Sequence, residues 1–281
     1  MNLPRILTIQ DISCVGQCSL TAALPILSAS GVETCILPSA VLSTHTGGFS
    51  GYTFRDLTAD MPDIAEHWQK ARIRFDAVYS GYLGSARQIG YVQDIYHSLA
   101  RDHARLFVDP AMADNGRLYS NFDRNFVEAM KPLCFSADVM LPNVTEACLL
   151  TDTPWQEQCD EAFAAELLKK LHARGAKTVI LTGVSCEPHT TGVLVSEWGE
   201  VRHYRHKRIE RMCHGTGDVF ASAFVGACLR GFTPFAAARV AASFTLRSIE
   251  NTPPDHWYGV YFESALPMLT ELYSTEKLHF C

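Results

Sequence analysis

The chain has 281 residues, 47% hydrophobic and 19% charged, an ordinary globular composition with enough chain for one large core. Its formal net charge is −6, with Lys and Arg scattered along the sequence, which argues against a nucleic-acid surface. No apolar run is long enough to span a bilayer, and no Pro/Gly/Ser-rich linker divides the chain, so residues 1–281 are read as one domain.

The N-terminal stretch leads straight into an apolar strand over residues 5–10, and no secretory leader is expected. Residues 11–16 read as a loop. Residues 19–30 have helical spacing (Leu20, Ala23, Leu24, Leu27) and stop at Gly31, with Pro25 expected to bend the helix or mark its first turn. A strand over 32–37 completes a β-loop-α-β opening. Residues 43–58 are polar, glycine-rich and aromatic, and read as a small flap with edge strands. A helix is expected over 64–71, a strand running into a turn over 77–84, a helix over 86–100 and a strand over 106–110. Residues 122–135 read as a helix broken near Pro132. Residues 139–141 form a strand closed by Pro142-Asn143, and Glu146 falls in the first turn of the next helix. Residues 161–174 are an amphipathic helix capped by Gly175. A strand over 178–181, a hairpin of 192–196 with 201–205, and helices from Asp218, from Pro234 and over 262–273 complete the pattern. Strands alternating with helices predict a doubly wound, mostly parallel α/β sheet with helices on both faces.

In such a sheet, ligands bind at the carboxyl ends of the strands. Asp11, Tyr82, Asp109, Asn143, Glu146 and Thr182 all follow strands closely, so the topology gathers them along one sheet edge. The clearest chemistry lies in Cys213-His214-Gly215-Thr216-Gly217-Asp218, a glycine loop opening into a helix of small and apolar residues. A helix start offers unpaired N–H groups and the positive end of the dipole, and glycines let an anion approach the backbone. A carboxylate at that position makes sense as the base that takes a proton from a hydroxyl attacking a phosphate. The residues therefore point to a small-molecule kinase, with Asp218 as base and Gly215, Thr216 and Gly217 as the anion hole.

Other features fit two readings each. Asp109 before Pro110 suits a turn or a metal carboxylate. Asn143 and Glu146 suit a reciprocal capping pair, which does not exclude a role with hydrated Mg²⁺. His45 and Thr46 suit an exposed flap or a binding one. Cys213 suits an activated thiol or a packed one, and His214 shows no partner and receives no role. None of the ten cysteines forms a C-x-x-C pair, so buried thiols in a reducing cytoplasm are expected in place of a structural zinc site.

Taken together, these segments resemble pyridoxal kinases of the ribokinase-like superfamily, over nearly the whole chain. Ile9-Gln10 resembles that family's opening and Ser43-Thr44-His45-Thr46-Gly47 its Ser-Asn-His-Thr flap. Ser80-Gly81-Tyr82-Leu83-Gly84-Ser85, Asp109-Pro110-Ala111-Met112, Pro142-Asn143-Val144-Thr145-Glu146 and Gly215-Thr216-Gly217-Asp218 resemble its other motifs, in the same order. The resemblance implies ATP-dependent phosphorylation of the 5′-hydroxymethyl group of pyridoxal, pyridoxamine or pyridoxine. It implies Mg²⁺ organised by Asp109 and Glu146, with room for a monovalent cation, and Asn143 and Thr182 beside the ATP phosphates. Thr46 and Tyr82 would hold the pyridine ring, with His45 beside them, in a homodimer. Two departures stand out. Asp11 replaces a serine that touches the pyridine nitrogen, and Cys213-His214 is more similar to hydroxymethylpyrimidine kinases, although those usually carry cysteine in place of Asp218. The alternatives are a hydroxymethylpyrimidine or sugar kinase of the same superfamily, or a non-catalytic vitamin B6 carrier.

Overall fold

The computed structural model describes residues 3–185, 187, 189–211 and 213–278. In chain order the elements are β1 (Arg5–Ser13), α1 (Leu20–Ala29), β2 (Glu33–Leu42), β3 (Phe54–Asp56), α2 (Met61–Lys70), β4 (Phe75–Ser80), α3 (Ala86–Leu99) and β5 (Ala100–Val108). The short hairpin β6 (Ala113–Asp114) and β7 (Arg117–Leu118) follows, then α4 (Arg124–Ser136), β8 (Val139–Met140), α5 (Val144–Leu150), α6 (Glu161–Ala173), β9 (Thr178–Val184), β10 (Thr190–Glu197) and β11 (Glu200–Lys207). The chain then enters α7 (Thr216–Leu229), α8 (Pro234–Asn251) and, after a 3-10 turn at Glu263–Ala265, α9 (Leu266–Leu278).

One nine-stranded sheet has the order β11-β10-β9-β8-β5-β4-β1-β2-β3. The strands from β9 to β2 pair in parallel, and only β3, β10 and β11 pair antiparallel, at the two edges. Side chains of a strand alternate between faces, and both faces of this sheet are buried. Leu7 and Ile9 of β1 join a core with Ile89 and Val92 of α3, Val127 of α4 and Leu167 of α6. Ile6 joins a second core with Ile26 of α1, Val219 and Phe224 of α7, Val240 of α8 and Leu269 of α9. Burying each such large apolar side chain contributes about 1.5–3 kcal/mol. Among the described residues no helix is long and apolar enough to cross a membrane.

The expected element order holds except for the unforeseen β6–β7 hairpin, with four further local differences. First, β1 does not end at Gln10 but runs through Asp11 to Ser13, because pairing with β2 resumes at Ile12↔Val41 after a register shift beside Pro38. Second, β5 starts at Ala100 directly after α3, so its exposed first half had read as helix end and loop. Third, α4 passes through Pro132 unbroken. Pro132 is on the exposed side, where water can satisfy the Glu128 carbonyl that loses its partner. Fourth, the 43–58 flap contains only one strand, β3, paired with Ala40–Leu42. Of the eight described cysteines, Cys134, Cys148, Cys159 and Cys228 are buried, and Cys14 is exposed.

Candidate active site

Chain order and strand order differ around β1: β2 lies on one side of it, and β4, β5, β8 and β9 follow on the other. The carboxyl ends of these strands therefore present a row of polar residues. Asp11 sits at the end of β1, Tyr82 follows β4, Asp109 follows β5, Asn143 follows β8 and Thr182 lies in β9. Asn143 and Thr182 are bridge partners, and the Thr182 N–H donates to the Pro142 carbonyl at 3.0 Å. A cavity of about 780 Å³ runs along this edge. Asp11, His45, Thr46, Tyr82, Asp109, Asn143, Glu146, Thr182, Gly215, Thr216, Gly217 and Asp218 all line it.

The glycine loop 215–217 reaches the cavity through the turn before α7. Gly215 caps this helix in the left-handed conformation, φ +81°. A Cβ there would meet the Gln17 carbonyl oxygen at 2.1 Å, so no larger residue fits so close to the loop after β1. Thr216, Gly217 and Asp218 form the first turn of α7, a 14-residue helix whose next residues, Val219 to Cys228, are buried. The rigid core thus holds the helix N-terminus at the cavity.

Asn143 and Glu146 make a reciprocal capping box on α5. The Glu146 N–H donates to Asn143 Oδ1 at 2.9 Å, and the Asn143 N–H donates to Glu146 Oε2 at 2.9 Å. Glu146 does more than cap: Oε1 accepts from the Met112 N–H at 3.0 Å and the Ala113 N–H at 3.5 Å. Asn143 Nδ2 donates to the Ala113 carbonyl at 2.8 Å. The pair thereby fixes the turn after Asp109, whose own Oδ1 accepts from the Ala111 N–H at 3.2 Å.

Four carboxyls share this low-dielectric space. Burial pushes Asp218 up to about 7, and the Asp109 charge adds to it, while the Ser19 backbone N–H pulls the other way. Asp109 is only 9% exposed, and burial and the Glu146 charge raise it. Burial raises Glu146 too, against the pull of its three N–H donors. Asp11 is 4% exposed and is raised by burial, with Ser13 Oγ donating to its Oδ2 at 2.9 Å. The same burial holds Cys18 and Cys213 as thiols by raising both. Among the described residues no group of three or more His, Cys, Asp and Glu side chains is arranged to hold a metal ion.

Two contributors escaped the sequence reading. The β6–β7 hairpin brings Asp114, Asn115, Tyr119 and Ser120 to the cavity wall, with the Gly116 N–H donating to Thr145 Oγ1 at 3.0 Å. His214, given no role from sequence, packs its ring 5.1 Å from that of His45. The hairpin strands are too short for any periodicity to show, and the two histidines are remote in sequence.

A family profile described as phosphomethylpyrimidine kinase matches residues 20–259. A Bacteroides thetaiotaomicron protein, described as a candidate phosphomethylpyrimidine kinase and solved with pyridoxal, is 36% identical, with a TM-score of 0.90 and 96% of both chains covered. Pyridoxal kinase from Lactobacillus plantarum is 31% identical, with a TM-score of 0.89 over 98% of this chain and 99% of that one. A pyridoxine/pyridoxal/pyridoxamine kinase of Bordetella avium is 26% identical over 266 residues, 88% of this chain and 85% of its own length. The chain belongs to the phosphomethylpyrimidine kinase family, carries its ribokinase-like fold and has pyridoxal kinases among its relatives.

Proposed function

We propose that this chain transfers the γ-phosphoryl group of ATP to the 5′-hydroxymethyl group of pyridoxal, pyridoxamine or pyridoxine. The observation that carries the reading is Asp218: a carboxyl raised to about 7, in the first turn of α7, directly after left-handed Gly215 and in one cavity with Asp109. A carboxyl tuned to neutral pH is matched to accepting a hydroxyl proton. The relatives named for B6 vitamers, and the one solved with pyridoxal, support the substrate class.

In this reading Asp218 takes the proton from the attacking hydroxyl. The N–H groups of Gly215, Thr216 and Gly217, with the dipole of α7, stabilise the transferring phosphoryl group. Asp11, Thr46 and Tyr82 hold the pyridine ring, with His45 beside them, and Asn143 and Thr182 lie by the ATP phosphates. Asp109 and Glu146 supply oxygen donors, the ligand type Mg²⁺ prefers, and Mg²⁺ keeps several waters and needs few protein ligands. The crowded carboxyls, each pushed toward its protonated form, also fit a bound cation. Mg²⁺ bound there would neutralise phosphate charge. The chain works as one cytoplasmic kinase unit, and a homodimer partner helps to enclose the site; light scattering with an activity assay across dilution checks the dimer.

The family profile favours a second reading, phosphorylation of a hydroxymethylpyrimidine on the same site. The test mixes protein, Mg·ATP and each vitamer or hydroxymethylpyrimidine and follows ADP release. Release with the vitamers supports the proposal, and release with hydroxymethylpyrimidine alone moves the function to the second reading. Vitamer binding without release leaves a carrier. Turnover that persists in EDTA without added Mg²⁺ removes the metal role.

A further inference from the structure

His45 is 6% exposed, and both of its ring nitrogens already have partners within the chain. The Gly47 N–H donates to Nδ1 at 3.0 Å, so Nδ1 carries no proton. Nε2 lies 2.6 Å from the Tyr258 carbonyl oxygen, which can only accept, so Nε2 carries it. The two bonds together select the neutral Nε2–H tautomer. The imidazole also packs against bare backbone: Gly16 has φ +97°, and a Cβ there would lie 2.1 Å from His45 Cδ2. Phe49 sits edge-on to the same ring at 5.1 Å and leans on Trp257 at 4.7 Å. Four segments therefore meet at His45: the loop after β1, the flap, the anion-hole loop through His214, and the segment after α8.

We propose that His45 is a positioning residue: its neutral imidazole ties the flap that carries Thr46 and Gly47 to the segment after α8, and it makes no hydrogen bond to the substrate. The inference deepens the vitamin B6 kinase reading and rests on it for the identity of that substrate. Protonation at Nδ1 would turn the acceptor of the Gly47 N–H into a donor and break that bond. The titratable groups facing His45 are His214 on the anion-hole loop, and Tyr258 with His256 tilted against it at 4.1 Å. Among the described residues no carboxylate enters the interactions that shift either imidazole. Burial lowers His45 from 6.5, and burial and the charge of His45 lower His214, so both stay neutral at physiological pH. The latch then opens as pH falls below 6.5.

The test is ¹⁵N-histidine NMR on the whole protein, alone and with pyridoxal, beside kinetics of three variants. The free protein at pH 8 is expected to show a protonated Nε2 and a bare Nδ1 at His45. The Gly47 amide should shift with the midpoint of His45 as pH falls, and pyridoxal should leave both His45 nitrogens unmoved. His45→Phe removes both bonds and should raise KM for the vitamer about tenfold, with kcat less affected. His45→Gln keeps a donor for Tyr258, and His45→Asn keeps an acceptor for Gly47. Each should restore part of the loss and remove the acid-side rise in KM. An Nδ1–H tautomer, a change of tautomer on adding pyridoxal, or wild-type KM in His45→Phe would overturn the proposal. If no vitamer binds, the functional reading fails, while the tautomer and the Gly47 titration of the free protein still decide the latch.

Discussion

Glu146 holds the Met112 N–H at 3.0 Å with one carboxylate oxygen while the other takes the Asn143 N–H at 2.9 Å. The side chain proposed as a metal ligand is thus also a peg joining α5 to the turn after Asp109. This double duty separates two effects of one substitution. Glu146→Gln keeps one acceptor but sets an amide NH₂ against a buried backbone N–H. Leaving that donor unpaired costs about 1–3 kcal/mol. The expected result is a lower Tm in metal-free protein, measured by thermal denaturation, together with lost turnover. Lost turnover at an unchanged Tm would confine Glu146 to the metal and remove the peg.

That pair also shows where sequence is informative. The Asn143–Glu146 spacing announces a capping box, because the hydrogen bonds are local. The reach of Glu146 to Met112 is not legible, since it depends on β5 and β8 lying side by side. The strand-end rule gathered the polar row correctly because chain reversal in a doubly wound sheet leaves few choices. It missed the strand character of Asp11, which sits at the register shift, and of Ser13, which pairs with Leu42 of β2, because their polar side chains read as loop. It also missed the contact of His214 with His45, which two loops from opposite ends of the chain create.

For Asp218 the raised value of about 7 sets both kinetics and stability. As the proposed base, Asp218 must be ionised to accept a proton, so kcat/KM should rise with pH to a plateau above about 7. Asp218→Asn should flatten this limb and lower turnover by about 10²–10⁴ while keeping nucleotide binding. A folded-state carboxyl raised above its ordinary 3.8 stabilises the protein below that pH, and the contribution is lost as pH climbs toward 7. The Asn variant has no proton to lose. Its Tm advantage over wild type should therefore grow from pH 4 to pH 8, as denaturation of ligand-free protein would show.

Gly215 and Gly217 stand on either side of Thr216 but carry different constraints. A Cβ on Gly215 meets the Gln17 carbonyl oxygen at 2.1 Å and Cys18 Sγ at 3.2 Å in a left-handed backbone, whereas a Cβ on Gly217 meets nothing within 4 Å. Gly215→Ala should lower Tm and shift the loop, costing about 10²-fold in turnover through misplacement. Gly217→Ala should leave Tm unchanged and act only where the phosphoryl group must approach the backbone. Equal Tm values for the two variants would contradict this division.

Asp11, in the polar row at the end of β1, divides two readings of the substrate wall. Its Oδ2 is anchored by Ser13 Oγ at 2.9 Å, and the Ser19 side chain lowers its pKa against the upward push of burial. Burial outweighs these donors and raises the carboxyl from 3.8 in a position 4% exposed, on the wall it shares with Tyr82, and a pyridinium facing it would favour the ionised form. An ionised carboxylate can only accept a hydrogen bond, so against a pyridine nitrogen it selects the protonated ring. The charge-assisted bond would be stronger than the neutral one a serine makes. The competing role is structural: Asp11 holds Ser13 and Ser19 in place and never meets the ring. The alkaline limb of kcat/KM distinguishes them, because Asp218 and His45 act on the acid limb. Recognition of the pyridinium requires wild-type kcat/KM to fall at high pH as the ring loses its proton. It also requires Asp11→Ser to flatten that limb while kcat is kept. A structural Asp11 gives superimposable profiles and a lowered Tm, since removing the carboxylate leaves the Ser13 hydroxyl without its buried acceptor.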